Sequence, residues 1–119
     1  MENLDLRCAE LGNKLAQPQG VDVTLLTKAL AVLDEQGLYA FFLFLAADGK
    51  EPAKAVSTSC TEFLKKTPAD NPLLGHGELW QELGRLAGAL DSLLFARDLL
   101  RQALVYGRYH AKVHGSSKS

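Results

Sequence analysis

The chain has 119 residues, of which 47% are hydrophobic and 23% are charged. This length suits one domain, and the apolar content excludes a chain that is disordered throughout. The formal net charge is −1, but it is unevenly distributed. Residues 1–96 contain 8 Lys and Arg against 13 Asp and Glu, which gives −5, whereas residues 97–119 contain 5 against 1, which gives +4.

The basic C-terminal end has two interpretations. It can indicate a polyanionic partner, because clustered cations attract phosphate groups. It can also reflect a helix C-terminus, where the helix dipole favours cations, followed by a solvated tail. Composition does not separate these interpretations, so both stay open.

Targeting signals and cysteine usage favour an intracellular protein. The segment 1–8 is charged and lacks the pattern of a signal peptide. The longest apolar run, 38–47, has ten residues, whereas a membrane span needs about 20. Cys8 and Cys60 are predicted to be buried thiols in a reducing compartment, because two distant cysteines make neither a disulfide framework nor a zinc site. We therefore expect a soluble, cytoplasmic protein without membrane contact.

The first two helices are predicted over 3–17 and 23–36. In the first helix, apolar residues recur at the spacing of one helical face, and Gly12 weakens the helix slightly because glycine has a low helix propensity. Asp22 stands where an N-cap of the second helix is expected. Gly37 can adopt the left-handed conformation that closes this helix.

The stretch 38–48 is apolar on almost every side, so a buried strand is an alternative to a third helix. Its alanines and its helical neighbours favour the helix, and no second strand is predicted to pair with it. A helix of this kind belongs at the centre of a bundle or under a partner. A fourth helix is predicted over 52–66, with Pro52 in its first turn.

The connection 67–77 contains two prolines and two glycines and is long for a link between bundle helices. It is therefore predicted to be a mobile or binding loop. Leucine spacing predicts a fifth helix over 78–90, with Trp80 beside its apolar stripe, and a sixth over 91–113. Asp91 is expected to be an N-cap or a mild joint between these two helices.

Together these patterns predict an all-α fold class. We expect a compact bundle of about six helices, because no segment has a strong β-strand pattern. The expected organisation is a single helical domain over 1–113 and a disordered C-terminal tail over 114–119.

Motifs of enzymatic chemistry are absent from the sequence. No phosphate-binding glycine loop, nucleophile elbow, paired CxxC or HExxH is present. His110 and His114 have a spacing that can share a metal ion, but no acidic or cysteine ligand accompanies them, which favours solvated or phosphate-facing side chains. Glu78 and Glu82 are typical of solvated surface acids. We therefore expect no catalytic residue, no metal and no cofactor.

Three aromatic residues each have two interpretations. Trp80 can anchor an interface, since tryptophan is enriched in binding hot spots, or it can pack at the edge of the core. Tyr106 and Tyr109 lie on either side of Arg108 and can contact nucleic acid by stacking next to a positive charge. They can also belong to core and rim packing.

Two segments resemble the small helical subunit of type III CRISPR–Cas effector complexes, and the Cmr-type small-subunit family most closely. The first, 28–47, is a helix closed by Gly37 and Leu38 and followed at once by an aromatic-rich apolar helix. The second, 93–112, is an apolar helix with an aromatic and basic ending. The resemblance covers roughly two-thirds of the chain and lies in the order and length of the elements.

The resemblance implies a six-helix bundle that acts in antiviral defence without catalytic residues, because cleavage belongs to other subunits. It implies that copies stack head to tail beside guide RNA, target RNA and other CRISPR effector subunits. Basic residues would contact phosphates without reading sequence. By position, the expected RNA contacts are Arg97, Arg101, Arg108 and Lys112, with Lys54, Lys65 and Lys66 as weaker candidates. The expected contacts with a neighbouring subunit are Trp80, His76 and Tyr109.

The same pattern is also typical of a generic helical adaptor or dimerisation module. Such a protein would bury the apolar helix over 38–48, or Trp80, in a protein partner. It would have no affinity for RNA, which separates it from the first interpretation.

Overall fold

A computed structural model describes residues 2–117, with the surroundings of side chains described as far as His114. This part of the chain contains six helices and no strand, so the predicted all-α bundle is confirmed. The helices are α1 (Leu4–Leu15), α2 (Val23–Gln36), α3 (Leu38–Asp48), α4 (Glu51–Lys66), α5 (Leu79–Ala87) and α6 (Leu90–Ser117).

Local signals determine the start and the end of α2. Asp22 is its N-cap, because the side-chain Oδ1 accepts a hydrogen bond of 2.9 Å from the backbone N–H of Leu25. Gly37 ends the helix with a φ of 99°, a conformation that other residues rarely adopt. The N-cap prediction for Asp22 is confirmed. Gly37 ends the helix as predicted and has a positive φ, but its ψ of −175° lies outside the left-handed helical region. The stretch after Gly37 is helical, so the strand alternative for 38–48 is wrong.

The joint between α5 and α6 lies earlier than predicted. The fifth helix ends at Ala87. The N–H of Gly88 donates to the carbonyl oxygen of Arg85 and the N–H of Ala89 donates to that of Leu86, which closes the last turn. The sixth helix begins at Leu90, so Asp91 lies in its first turn and is neither an N-cap nor a joint. Glycine has a low helix propensity, which explains why the break falls at Gly88.

The C-terminal boundary of α6 also lies beyond the predicted residue 113. The helix is described as far as Ser117, so it includes 114–117 of the segment expected to be a disordered tail. The remainder of that segment, 118–119, lies outside the described residues.

One hydrophobic cluster draws side chains from all six helices and from the loop before α5. Helix α6 contacts α1 and α2 most extensively and meets α3 and α5 more briefly. At about 1.5 Å per residue, its 28 residues extend about 42 Å. The largest dimension of the molecule is 45 Å, so α6 runs along nearly its whole length.

Helices α1 and α6 approach most closely at a pair of glycines. A Cβ atom added to Gly12 would lie 2.5 Å from Cβ of Tyr106 and 2.8 Å from the carbonyl oxygen of Ala103. Gly107 lies opposite, with the carbonyl oxygen of Gly12 3.4 Å from the position of its own added Cβ. Gly12 therefore serves packing, a role that goes beyond the slight weakening of the helix expected from its propensity.

The two helices run in the same direction. Near the start of α1, the Cys8 thiol donates a hydrogen bond of 3.4 Å to the carbonyl oxygen of Leu99. Further along α1, Gly12 faces Ala103 and Gly107. Because later residues of α1 meet later residues of α6, the two helices are parallel.

Replacing Gly12 by alanine tests this close approach. We expect Gly12→Ala to lower the free energy of unfolding by about 1–3 kcal/mol, because the added methyl group forces apart two packed backbones. Gly84 is a matched control on α5, since an added Cβ meets nothing within 4 Å. Gly84→Ala should raise stability by about 0.5–1 kcal/mol through helix propensity. Urea denaturation gives the free energy of unfolding of each variant. Equal stability of the two variants would contradict the packing role of Gly12.

Candidate nucleic-acid interface

The four basic residues predicted on the last helix share one face of α6. Arg97, Arg101, Arg108 and Lys112 are separated by 4, 7 and 4 residues, which places their Cα atoms within about 60° around the helix axis. They extend over about 22 Å of its length. The predicted basic strip thus exists as a geometric feature of the helix.

Two members of the strip are paired with carboxylates. Arg101 Nε donates a hydrogen bond of 2.9 Å to Oδ1 of Asp34 on α2, and both side chains are only partly exposed. Arg97 Nη2 lies 3.7 Å from Oδ1 of Asp98. These pairs lower the net positive charge that this part of the strip offers to a phosphate.

The other two members have no such partner. Among the described residues, no carboxylate lies within 4.0 Å of a side-chain nitrogen of Arg108 or Lys112. Lys112 is exposed, and Arg108 is half-buried with an Nε that is shielded from solvent and has no hydrogen-bond partner. Positive charge is therefore least compensated at the C-terminal end of the strip.

The two tyrosines near this end have different surroundings. Tyr106 donates a hydrogen bond of 3.1 Å from its hydroxyl to Oδ1 of Asp5, which also accepts from Gln102 Nε2 at 2.6 Å. The bond to Asp5 and the nearby negative charge raise the pKa of Tyr106. Tyr109 is 64% exposed and lies between Arg108 and Lys112 in sequence. Tyr106 thus links α6 to α1 by a hydrogen bond, whereas the ring of Tyr109 is exposed to solvent.

The weaker basic candidates on α4 do not join this strip. Lys54 pairs with Glu51 at 3.7 Å on the same helix. Lys66 lines a groove of about 430 Å³ between α1 and α4, where acidic and basic residues alternate. Lys65 lies near Glu82 and helps to lower the pKa of its carboxyl group. These three lysines face mixed charge, so they do not form a continuous basic surface.

The residues predicted to contact a neighbouring subunit lie on α5, on the loop before it and on α6. Trp80 is half-buried on α5, packs against the core and has its ring centroid 5.5 Å from that of Tyr39 on α3. His76 is exposed in the loop before α5. Tyr109 lies in the last third of α6. Their contact with a neighbouring subunit stays a prediction.

Helix α3 has an exposed apolar face. Its buried side includes Phe41 and Phe42, whose rings meet edge to face with centroids 5.1 Å apart. On its other side, Tyr39 is 45% exposed and Leu43 is 48% exposed. Of the two predicted positions, the bundle centre does not apply to this face, and a position under a partner stays a prediction.

The loop between α4 and α5 packs on the body of the protein. Leu73 and Leu74 are buried, and the N–H of Leu74 donates to the carbonyl oxygen of Leu64 at 3.0 Å. The prediction of a mobile or binding loop did not include these contacts, and binding by its exposed residues stays a prediction. Its two leucines close the core, which explains why so long a connection is ordered against the helices.

The Glu82 carboxylate holds this loop to α5. Its Oε1 accepts a hydrogen bond of 2.7 Å from the N–H of Gly75 and lies 3.0 Å from Arg85 Nη2. Arg85 also donates to the carbonyl oxygen of Leu73 at 3.2 Å. A Cβ atom at Gly75 or Gly77 would lie within 2.8 Å of a Glu82 oxygen, so glycine permits the loop to wrap the carboxylate. The prediction of a solvated surface acid is wrong for Glu82.

Reactive groups in the described part of the chain are not arranged for metal or thiol chemistry. No group of three His, Cys, Asp or Glu side chains there could hold a metal ion. Burial raises the pKa of Cys60 to about 12, and burial together with Asp5 raises that of Cys8 to about 11. Both thiols are free and buried, as predicted, and both are protonated at neutral pH.

Comparisons with known proteins give no relative for this chain. No family model, no curated protein and no solved structure matches it. Within the described residues, no helix combines the length and the apolar character that crossing a membrane requires.

The Glu82 contacts lead to a test of loop attachment. The bond from Gly75, followed by that from Arg85, lowers the pKa of Glu82 below its ordinary value of 4.5. The charged carboxylate therefore stabilises the closed loop above about pH 4.5, and this stabilisation is lost as the pH falls through the lowered pKa.

We expect Glu82→Gln to speed hydrogen exchange of the Gly75 amide at neutral pH, measured by NMR. In the wild type the same amide should lose protection in acid. Glu51→Gln is the matched control, because the Glu51 side chain is 90% exposed and touches only Lys54 among the ion pairs of the described chain. Equal exchange of Gly75 in both variants would contradict the role of Glu82.

Proposed function

We propose that the chain is a non-catalytic small subunit of an RNA-guided type III CRISPR effector complex, acting in antiviral defence in the cytoplasm. In this role it lies beside guide RNA and target RNA, contacts other effector subunits and stacks head to tail with copies of itself. It contacts phosphates without sequence readout. The six-helix bundle and the order of its elements agree with the resemblance of 28–47 and 93–112 to that family.

One observation carries the RNA-binding part of this proposal. At the C-terminal end of α6, Arg108 and Lys112 lack a carboxylate partner within 4.0 Å in the described structure, whereas Arg97 and Arg101 have one each. Phosphate binding gains most from cations whose charge is not already compensated. Arg108 and Lys112 are therefore the leading RNA contacts, and Arg97 and Arg101 add weaker attraction.

Two double variants test this ranking of the four basic residues. We expect Arg108→Gln with Lys112→Gln to weaken RNA binding at low salt. It should also reduce the slope of log affinity against log salt concentration by about 1.5, because two phosphate contacts are lost. Arg97→Gln with Arg101→Gln is the matched control with the same change in net charge, and it should reduce the slope by clearly less. Fluorescence anisotropy with a labelled RNA measures both.

Circular dichroism first establishes that both double variants are folded. Exposed ion pairs contribute about 0–1 kcal/mol each, so loss of the Arg101–Asp34 pair should not unfold the chain. An equal reduction of the salt slope in the two variants would show that total charge, and not the end of α6, governs binding. An RNA affinity unchanged in both would contradict the phosphate-contacting role.

A generic adaptor or dimerisation module is the second candidate, favoured by the exposed face of α3. Tyr39 and Leu43 present apolar side chains there, and Trp80 lies against Tyr39. Under this alternative, analytical sedimentation shows a fraction of dimer that increases with protein concentration. Leu43→Glu dissociates the dimer, and the protein does not bind RNA. A monomer that binds RNA would contradict it.

A further inference from the structure

We infer that the C-terminal end of α6 selects single-stranded RNA, with an unpaired base stacked on Tyr109 and the adjoining phosphates held by Arg108 and Lys112. This inference rests on the proposed function, to which it adds the form of the RNA and the side chain that recognises it. The three residues are called the α6 end site below.

The spacing of the α6 end site brings a ring and two cations together. Tyr109 and Lys112 are three residues apart, and Arg108 and Lys112 are four apart, so each pair is adjacent on the helix surface. Arg108 and Lys112 are separated by about 6 Å along the axis. The two cations therefore lie close enough to contact neighbouring phosphates of one strand.

The charge around the site favours an anion. The sequence from residue 99 to residue 117 contains no Asp or Glu. The nearest acid along the helix is Asp98, about 16 Å before Tyr109, and it already lies 3.7 Å from Arg97. The helix dipole places about half a negative charge at the C-terminus, but its effect falls off within the last turn. Arg108 lies nine residues before Ser117, beyond that range.

The surroundings of Tyr109 indicate a stacking surface. The side chain is 64% exposed, and it makes no hydrogen bond or ring contact within the described structure, whereas Tyr106 is bound to Asp5. Ala111 is buried, so the body of the protein still supports the helix beside the ring. An exposed ring on a rigid support suits base stacking, which tolerates any sequence.

Stacking of this kind favours a single strand over a duplex. In a duplex each base is already paired and stacked between its neighbours, so its face is not offered to a side chain. An unpaired base can lie on the ring while Arg108 and Lys112 hold its phosphates. A membrane surface fits less well, because Tyr109 and Val113 are the only large apolar side chains exposed from 105 to 114.

The test compares three variants on three probes. Tyr109→Leu removes the ring, Tyr109→Phe keeps it, and Tyr39→Leu removes an exposed tyrosine from α3 as a matched control. The probes are a short unstructured single-stranded RNA, the same strand annealed to its complement, and vesicles that contain phosphatidylserine. Anisotropy or co-sedimentation gives the affinity of the full chain for each probe at low salt.

We expect Tyr109→Leu to weaken binding of the single strand by about five- to tenfold and to leave binding of the duplex unchanged. Tyr109→Phe and Tyr39→Leu should bind the single strand as the wild type does. Tyr109 is mostly exposed, so its replacement should leave the fold intact, which thermal unfolding checks.

Four results would overturn the inference. Wild-type affinity of Tyr109→Leu for the single strand would show that the ring does not stack, although RNA binding through Arg108 and Lys112 would still support the proposed function. An equal loss in Tyr109→Phe would assign the effect to the hydroxyl group. Vesicles that bind and displace the RNA would identify the site as a membrane contact. Absence of binding to either RNA probe would contradict both the inference and the proposed function.

Discussion

The close approach of α1 and α6 at Gly12 is the constraint on which the rest of the structure depends. Without a Cβ atom at this point, the two backbones lie close enough for Tyr106 to reach Asp5 and for Cys8 to reach the carbonyl oxygen of Leu99. The buried face of α6 is occupied in this way as far as Ala111, and the residues from 112 to 114 are exposed. Packing in the middle of the helix therefore determines which side chains its C-terminal end presents to solvent.

The electrostatic properties of α6 follow from what packs beside it. Its basic residues share one face, but Arg101 lies next to Asp34 of α2 and Arg97 next to Asp98. Near the end of the helix, no carboxylate of the described residues lies within 4.0 Å of a side-chain nitrogen of Arg108 or Lys112. The sequence shows an evenly spaced basic strip, but in the structure its positive charge is paired to different degrees along the helix. The least compensated charge lies beside the exposed ring of Tyr109. This gradient is the physical basis for assigning phosphate contact to Arg108 and Lys112 ahead of the other cations.

Local patterns predicted most of the fold, and contacts between distant residues explain the differences. Asp22 and Gly37 act within one turn of α2, so the sequence indicated them correctly. The pairing of Arg101 with Asp34 joins residues 67 positions apart, and the spacing of charges on α6 contains no sign of it. The burial of Leu74 and the wrapping of Glu82 by Gly75 likewise depend on how the loop returns to α5. The basic candidates were therefore identified by sequence, but their ranking required the structure.

Backbone amide NMR during titration with a short single-stranded RNA tests most directly whether RNA contacts the C-terminal end of α6, as proposed. We predict chemical-shift changes concentrated on residues 105–114, with little change on α3. Changes concentrated on Tyr39, Leu43 and Trp80, or no change at any amide at low salt, would contradict it.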